Sequence, residues 1–348
     1  MDILENPWRG AGLSDPALAD VPAPSIDAAA PEALLARCPK AGETPLTRLE
    51  GLDPQIWVKD ERARMGLGSF KALGAAYVIA HHAVQSGAKT GEQDLSRALS
   101  GQTYVTASAG NHGLSVAAGA KAFGARAVIY LASTVPEGFA RRLRDKGAEV
   151  VRAGDDYEAS MAAALKGAED NGWTLLSDTS WDGYLDLPHR LMEGYLALAA
   201  ETVRQMPVVP THIFLQAGVG GLAGACAALF RKAWGDAPRI IVVEPQVAPA
   251  LHACIDAGHM VTTRGPTSHM GRLDCKEASL IALKGLARDA DAFALISEEE
   301  GAAILPELAA LGMETTSSGG AGLAAMQQMG LGADARVLCI VSEQGEAA

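Results

Sequence analysis

The chain has 348 residues, 49% hydrophobic but only 5% aromatic, a size and balance that predict a two-lobed soluble enzyme with a core rich in Ala, Leu, Val and Gly. A formal net charge of -12, with no polybasic or arginine-aromatic stretch, excludes nucleic acid as a partner, so a small anionic ligand needs a local site. The five cysteines, Cys38, Cys226, Cys254, Cys275 and Cys339, are scattered without CxxC spacing, which argues against a disulfide framework and a zinc cluster; no metal is expected.

The chain opens with Asp2, Glu5 and Pro7 where a signal peptide has a basic and then an apolar run, and no apolar stretch reaches the roughly 18 residues of a membrane span. The expected location is the cytoplasm, away from membranes. Residues 1 to about 40 are rich in Pro, Ala and Asp without a period and read as an irregular arm. Beyond Leu46, short apolar runs alternate with Ala-rich helical stretches: Ile56 to Lys59, a helix from Phe70, Tyr104 to Thr106, a helix from Gly113, Ala127 to Leu131, a helix from Pro136. The alternation continues through Glu149 to Val151, a helix as far as Ala168, Thr174 to Leu176, a helix from Leu187 to Val203, His212 to Leu215, a Gly-rich helix start and Arg239 to Val243. Arg336 to Val341 forms a last apolar strand. Such βα alternation predicts an α/β fold with mostly parallel sheets and flanking helices, and parallel sheets place ligands outside the carboxyl ends of their strands. The polar stretch Gln85 to Gly101 reads as a connection between lobes.

Most of the candidate chemistry falls at strand-to-helix turns. Gly68-Ser69-Phe70-Lys71 places a lysine beside an aromatic ring and before the apolar helix Ala72 to Ala80, a setting that can desolvate the amine and lower its pKa, as an imine-forming lysine requires, although the segment alone also reads as an exposed lysine at a helix start. In Ser108-Ala109-Gly110-Asn111-His112-Gly113 small residues permit close approach, exposed N–H groups can take a carboxylate, and Asn111 offers an amide to a phenolic oxygen. A tight turn capped by Ser108 explains that loop equally well, and His112 is either a base or a packed helix-start residue. Asp178-Thr179-Ser180-Trp181-Asp182-Gly183-Tyr184 sets carboxylates beside aromatic rings, so Asp178 is a candidate acid or base, or else a turn cap. Gly218-Val219-Gly220-Gly221-Leu222-Ala223-Gly224 lets several backbone N–H groups converge on a phosphate at a helix start. The same run fits a dinucleotide fingerprint, with Glu244 in the place of a ribose-binding acid, but a nicotinamide-dependent dehydrogenase leaves Lys71 and Asn111 without roles. Ser342, at the end of the last strand, can bond a heterocyclic nitrogen or simply start a turn.

Taken in order from about Thr44 to Gly345, these segments resemble the fold-type II pyridoxal phosphate enzymes, a tryptophan synthase β-like group that includes threonine dehydratase, serine racemase and cysteine synthase. Within it the sequence is most similar to diaminopropionate ammonia-lyase, through Lys59-Asp60-Glu61, GLGSFKALGAAY, SDTSWDGY, QAGVGGLAGA and HMGRLDCKEAS before Asp291-Ala292-Phe293. The resemblance implies pyridoxal 5'-phosphate held as a Schiff base on Lys71 beside Phe70, with Asn111 at its phenolic oxygen, Gly218 to Leu222 around its phosphate and Ser342 at its ring nitrogen. It also implies substrate carboxylate binding by Ser108, Ala109, Gly110 and His112, a large lobe of residues 1–90 and 182–348, a small lobe of residues 91–181, and a homodimer. Two departures stand out. Ala109 replaces the aspartate that the ammonia-lyases carry before Gly-Asn-His, which removes a base assigned to the D-substrate, and Cys275-Lys276-Glu277-Ala278-Ser279 replaces their CGEPN. Asp178, matching the aspartate associated with the L-isomer, remains. The implied reaction is α,β-elimination of ammonia from a β-substituted amino acid, 2,3-diaminopropionate with the L-isomer preferred, to pyruvate; the alternatives are a threonine/serine dehydratase, a lyase for another β-substituted amino acid, and a non-catalytic binding protein.

Overall fold

The computed structural model describes residues 1–50, 54–91 and 94–345. Its strands are β1 (Asp2–Glu5), β2 (Leu46–Leu49), β3 (Gln55–Asp60), β4 (Thr103–Ala107), β5 (Arg126–Leu131), β6 (Glu149–Arg152), β7 (Thr174–Leu175), β8 (His212–Gln216), β9 (Arg239–Pro245), β10 (Ala292–Ile296) and β11 (Arg336–Val341). Seven form one sheet in the order β1-β10-β9-β8-β11-β3-β2, and four form another in the order β6-β5-β4-β7. Pairing is parallel except at the edges of the larger sheet, where β1 runs against β10 and β2 against β3.

Central strands that are buried on both faces have near-continuous apolar sequences, and side-chain alternation divides them between two cores. Leu338 and Ile340 of β11 pack with Ile213, Leu215, Ile240 and Val242, whereas Val337, Cys339 and Val341 pack with Phe214, Ile241 and Val243 on the opposite face. The first cluster continues into the small sheet through Tyr104, Ile129 and Leu131, so one core joins the two sheets. Helices Ala75–Thr90, Asn111–Ala122 and Asp186–Gln205 feed it with Ile79, Val116 and Leu196.

Three local expectations change. The N-terminal arm includes a strand, β1, too short to show a period but supplied with partners by the exposed edge of β10. The apolar helix after Lys71 is broken into a 3-10 turn, Phe70–Leu73, and an α-helix from Ala75, hinged at Gly74 where a Cβ would lie 2.8 Å from the Tyr195 hydroxyl. That α-helix runs on through Thr90 into the stretch read as a polar connection, its polar residues being the solvent face of a helix; Glu92 and Gln93 lie outside the described residues.

Beneath the Lys71 turn lies a fully buried ionic cluster of two cations and two carboxylates. Lys59 Nζ donates to Glu201 Oε2 at 2.8 Å, to the Thr44 carbonyl at 2.7 Å and to Gln205 Oε1 at 2.9 Å. Arg64 makes paired bonds to Glu61, Nε to Oε2 and Nη2 to Oε1 both at 2.7 Å, and to Glu201, Nη1 to Oε1 at 2.8 Å and Nη2 to Oε2 at 2.7 Å. Formal charges cancel and the lone pairs are taken up, which is what makes such burial tolerable. The cluster ties the end of β3 and the chain leading to Gly68 onto helix Asp186–Gln205. Arg64→Met leaves two carboxylates facing one buried cation, and we expect a loss of about 3 to 5 kcal/mol in unfolding free energy by urea denaturation.

Candidate active site

The carboxyl ends of both sheets face one cleft. Lys71 follows β3, Gly218 to Gly221 follow β8, and Ser342 follows β11, all from the large sheet; Asn111 follows β4 and Asp178 follows β7 of the small sheet. Residues 68 to 70 are pinned beside β11: Phe70 N donates to the Ser342 carbonyl at 3.1 Å, Gln344 N donates to the Gly68 carbonyl at 2.9 Å, and Ser69 bridges Glu343. Gly68 has φ of +82 with the Gln344 side chain 2.7 Å from where a Cβ would stand, so glycine is favoured in the turn that presents Lys71.

Lys71 Nζ forms an ion pair with Asp178 Oδ2 across the cleft and stands 5.4 Å over the Phe70 ring. Its side chain retains 21% exposure. Burial alone would lower the Lys71 pKa, the sequence-based expectation, but the Asp178 carboxylate more than reverses this and the ammonium is held well above the ordinary lysine range. Burial pushes Asp178 the opposite way, upward, and again the partner wins: Lys71 holds it well below the usual carboxylate range. Asp178 is positioned by the turn that follows it. Trp181 and Tyr184 stack at 4.4 Å, and the Tyr184 hydroxyl donates to the Leu175 carbonyl at 2.9 Å and accepts from Ser177 N at 3.1 Å. Asp182 is exposed on that turn, away from the pair.

Helix Gly221–Trp234 begins at the glycine run, with Gly220 as its N-cap at φ of +95. The N–H groups of its first turn have no intrahelical acceptor, and the helix dipole favours an anion there. A Cβ on Gly218 would lie 2.9 Å from Cys275 Sγ, and one on Gly220 would lie 3.0 Å from both Ala282 Cβ and Leu251 Cδ1. Bare backbone at these positions lets the loop pack closely on its neighbours, with the Val219 carbonyl accepting from Ser279 N at 3.0 Å and Leu222 buried. An amine, a glycine cradle at a helix start, an amide at Asn111 and the hydroxyl-bearing Ser342 are the groups a pyridine aldehyde phosphate needs, and the residues fit it.

The loop Ser108 to Gly113 is tight. Gly110 N donates to Ser108 Oγ at 3.3 Å, and a Cβ on Gly113 would lie 2.3 Å from the Ser108 carbonyl oxygen. Ala109 and Gly110 are half-buried at the cleft. His112 turns inward: Nε2 contacts the Leu176 carbonyl at 2.8 Å, and burial lowers its pKa, so the ring is a neutral packing group that fixes the start of helix Asn111–Ala122. Asn111 Nδ2 donates to Glu343 Oε2 at 2.5 Å.

Four residues lie outside the candidate site residues named from the sequence. Tyr157, 54% exposed overall, has its phenol pKa raised by burial and then by the Asp178 charge. Tyr195 is buried with its ring edge-on to Phe70 at 5.0 Å, in the electrostatic reach of Lys71. Cys275 is pushed up to about 12 by burial and then by Asp178, so its sulfur is a thiol. Glu343 is buried next to Ser342. Each comes from a helix or loop whose local pattern reads as ordinary packing; adjacency to Ser342 was the one available hint for Glu343.

Glu244, the acid a dinucleotide site would use, is engaged elsewhere: its two oxygens accept from Leu251 N and His252 N, each at 2.7 Å, at the start of helix Ala250–Ala257.

Residues 38–343 match the family model described as pyridoxal-phosphate dependent enzyme, and the chain belongs to that family. Among curated relatives it is 35% identical over 269 residues to the diaminopropionate ammonia-lyase of Salmonella typhimurium (strain LT2), covering 71% of this chain and 66% of that protein, and 28% identical over 276 residues to the human L-serine dehydratase/L-threonine deaminase, covering 79% and 76%. The match thus spans just under two thirds of the ammonia-lyase's length. Among solved structures, Escherichia coli diaminopropionate ammonia lyase in complex with D-serine superposes with a TM-score of 0.86 at 28% identity, covering 99% of this chain and 93% of that one.

Two outcomes follow from this geometry. Gly220→Val forces a β-branched residue to positive φ against Ala282, and the affinity for pyridoxal phosphate, read by spectral titration, should fall at least tenfold. Burial lifts Glu244 from 4.5 to about 8, above its unfolded value, so the stability it contributes is complete at acid pH and lost as the pH rises toward 8. Glu244→Gln should flatten that part of the stability-pH curve, measured by denaturant unfolding across the range.

Proposed function

We propose that the protein is a pyridoxal phosphate-dependent ammonia-lyase that catalyses α,β-elimination from a β-substituted amino acid, 2,3-diaminopropionate with the L-isomer preferred, to pyruvate and ammonia. The observation that carries it is the Lys71–Asp178 ion pair facing a glycine cradle at a helix start. Similarity to diaminopropionate ammonia-lyase in sequence and fold supports the same reading.

Lys71 would carry the cofactor, the backbone of Gly218 to Leu222 would hold its phosphate, Asn111 would face the phenolic oxygen and Ser342 the ring nitrogen. When bound, pyridoxal phosphate supplies an electron sink for the carbon that loses its proton. The chain's own contribution is proton handling. While Lys71 is cationic, Asp178 is a weak base, because the ion pair holds its proton affinity down. Neutralising Lys71 removes that hold and leaves burial in control, which raises the proton affinity of Asp178. The same carboxylate then serves twice: it stabilises a cationic β-amine beside it and receives or returns a proton as that amine departs. Ala109 and the inward-turned His112 place no charged group of the carboxylate loop against the substrate. Acid-base work on the substrate therefore falls to Lys71 and Asp178, which supports the L-preference. The small-sheet residues 103–175 lie within the proposed small lobe of residues 91–181, whose closure on the large lobe would exclude water; a homodimer is proposed with it.

The human dehydratase relative and the aspartate-free loop favour serine or threonine as a second substrate class. Side-by-side keto acid assays on L- and D-2,3-diaminopropionate, L-serine and L-threonine decide between them: the highest kcat/KM is expected with L-2,3-diaminopropionate, and a higher value for a hydroxy amino acid would overturn the ammonia-lyase assignment. Borohydride should trap the cofactor on wild-type protein at the peptide containing Lys71, and the Lys71→Ala protein should escape trapping. Asp178→Asn should retain cofactor while kcat falls about 100- to 10,000-fold.

A further inference from the structure

Glu343 joins the two sides of the cleft at a point the acid-base pair does not use. It follows Ser342 on the large sheet, is 3% exposed, and its Oε2 accepts from Asn111 Nδ2 of the small sheet at 2.5 Å. Oε1 accepts from the Thr316 hydroxyl, and Arg272 Nε lies 3.3 Å from Oε2. The Thr316 oxygen itself accepts from Gly319 N at 3.0 Å as it caps helix Ser317–Gln328, which directs its proton toward Glu343. Donors therefore point at both oxygens of Glu343, the pattern of an acceptor-only carboxylate.

An asparagine amide has two nearly isosteric ends with opposite hydrogen-bonding character, and which end faces a ligand is decided by the fixed groups around it. An acceptor-only carboxylate can face only the NH2 end. One Nδ2 proton of Asn111 is thus committed to Glu343, and the flip state of the amide is set. The second Nδ2 proton remains available from an amide that cannot present its carbonyl in the same place without setting oxygen against oxygen.

We propose that Glu343 is a positioning residue that locks the Asn111 amide with its second N–H available to the phenolic oxygen of pyridoxal phosphate. The inference rests on the reading of the Lys71 cleft as the cofactor site. It requires no contact between Glu343 and the cofactor and predicts that everything Glu343 does to cofactor binding passes through Asn111.

The test is a double-mutant cycle on cofactor-loaded protein, read by pyridoxal phosphate affinity and by the pH midpoint of the bound cofactor's visible band. Glu343→Gln, whose amide can turn either end to Asn111, should raise the Kd about tenfold and move the spectral midpoint upward by about one unit, because a phenolate without a fixed donor holds a proton more tightly. In an Asn111→Ala background the same substitution should change neither readout. Additive effects in the two backgrounds, or a lowered Tm with affinity and midpoint unchanged, would overturn the proposal and leave Glu343 a structural residue. Glu343→Asp, which keeps the charge but shortens the reach, gives the same cycle if the glutamine variant does not fold. Wild-type protein that takes up no cofactor at Lys71 would instead refute the site reading itself, an outcome distinct from normal wild-type binding with additive variants.

Discussion

The ion pair between Lys71 and Asp178 is the contact on which the site depends, because each partner belongs to a different sheet and each makes the other's charge bearable. A buried lysine alone would shed its proton and a buried aspartate alone would keep one. Together they stay charged, which stores in the cleft a cation that can be neutralised and a carboxylate whose basicity rises when that happens. Asn111 and Glu343 span the same gap a few residues away, so polar contacts link the strand ends of the two sheets, while a continuous apolar core also joins them.

The rigidity behind that pair comes from groups that never reach the cleft. The neutral cluster of Lys59, Arg64, Glu61 and Glu201 fastens the approach to Gly68 onto helix Asp186–Gln205, and the backbone bonds of residues 68 to 70 to residues 342 to 344 fix its exit. The stacked pair Trp181 and Tyr184 does the corresponding work for Asp178. Binding of an anionic cofactor by a chain with a net charge of -12 also becomes intelligible. In the proposed site the glycine run Gly218 to Gly221 would offer backbone N–H groups at a helix start, which needs no surplus of cationic side chains and leaves overall charge free to be acidic.

Much of this was legible beforehand. The βα alternation gave the parallel strands β3 to β9 and β11 to within about two residues, because apolar runs bounded by turn residues have few other uses. Strands β1 and β2 were not legible, since four-residue edge strands such as Asp2–Glu5 and Leu46–Leu49 owe their existence to an unpaired neighbour rather than to their own pattern. The charge state expected of Lys71 was reversed for a related reason: neighbouring residues announce a desolvated amine, and the carboxylate that overrules desolvation arrives from 107 residues away. Tyr195 sits in a helix where its spacing from Leu191 and Met192 reads as core, and only the packing shows its hydroxyl beside Lys71.

What the sequence by itself determined is the set of local devices: the glycine that lets the Lys71 turn form, the glycine run that opens a helix, the small-residue loop before Asn111, and the parallel arrangement that delivers all of them to strand ends. These depend on residue size and on backbone conformation within a few positions, so they are written locally. Tertiary structure decided which charges meet. The pairing of Lys71 with Asp178, the capture of one Asn111 proton by Glu343, the inward turn of His112 to the Leu176 carbonyl and the diversion of Glu244 to a helix start each depend on distance and solvent exclusion between segments far apart in the chain. Electrostatic energies vary with both quantities, and neither is defined until the sheets have packed.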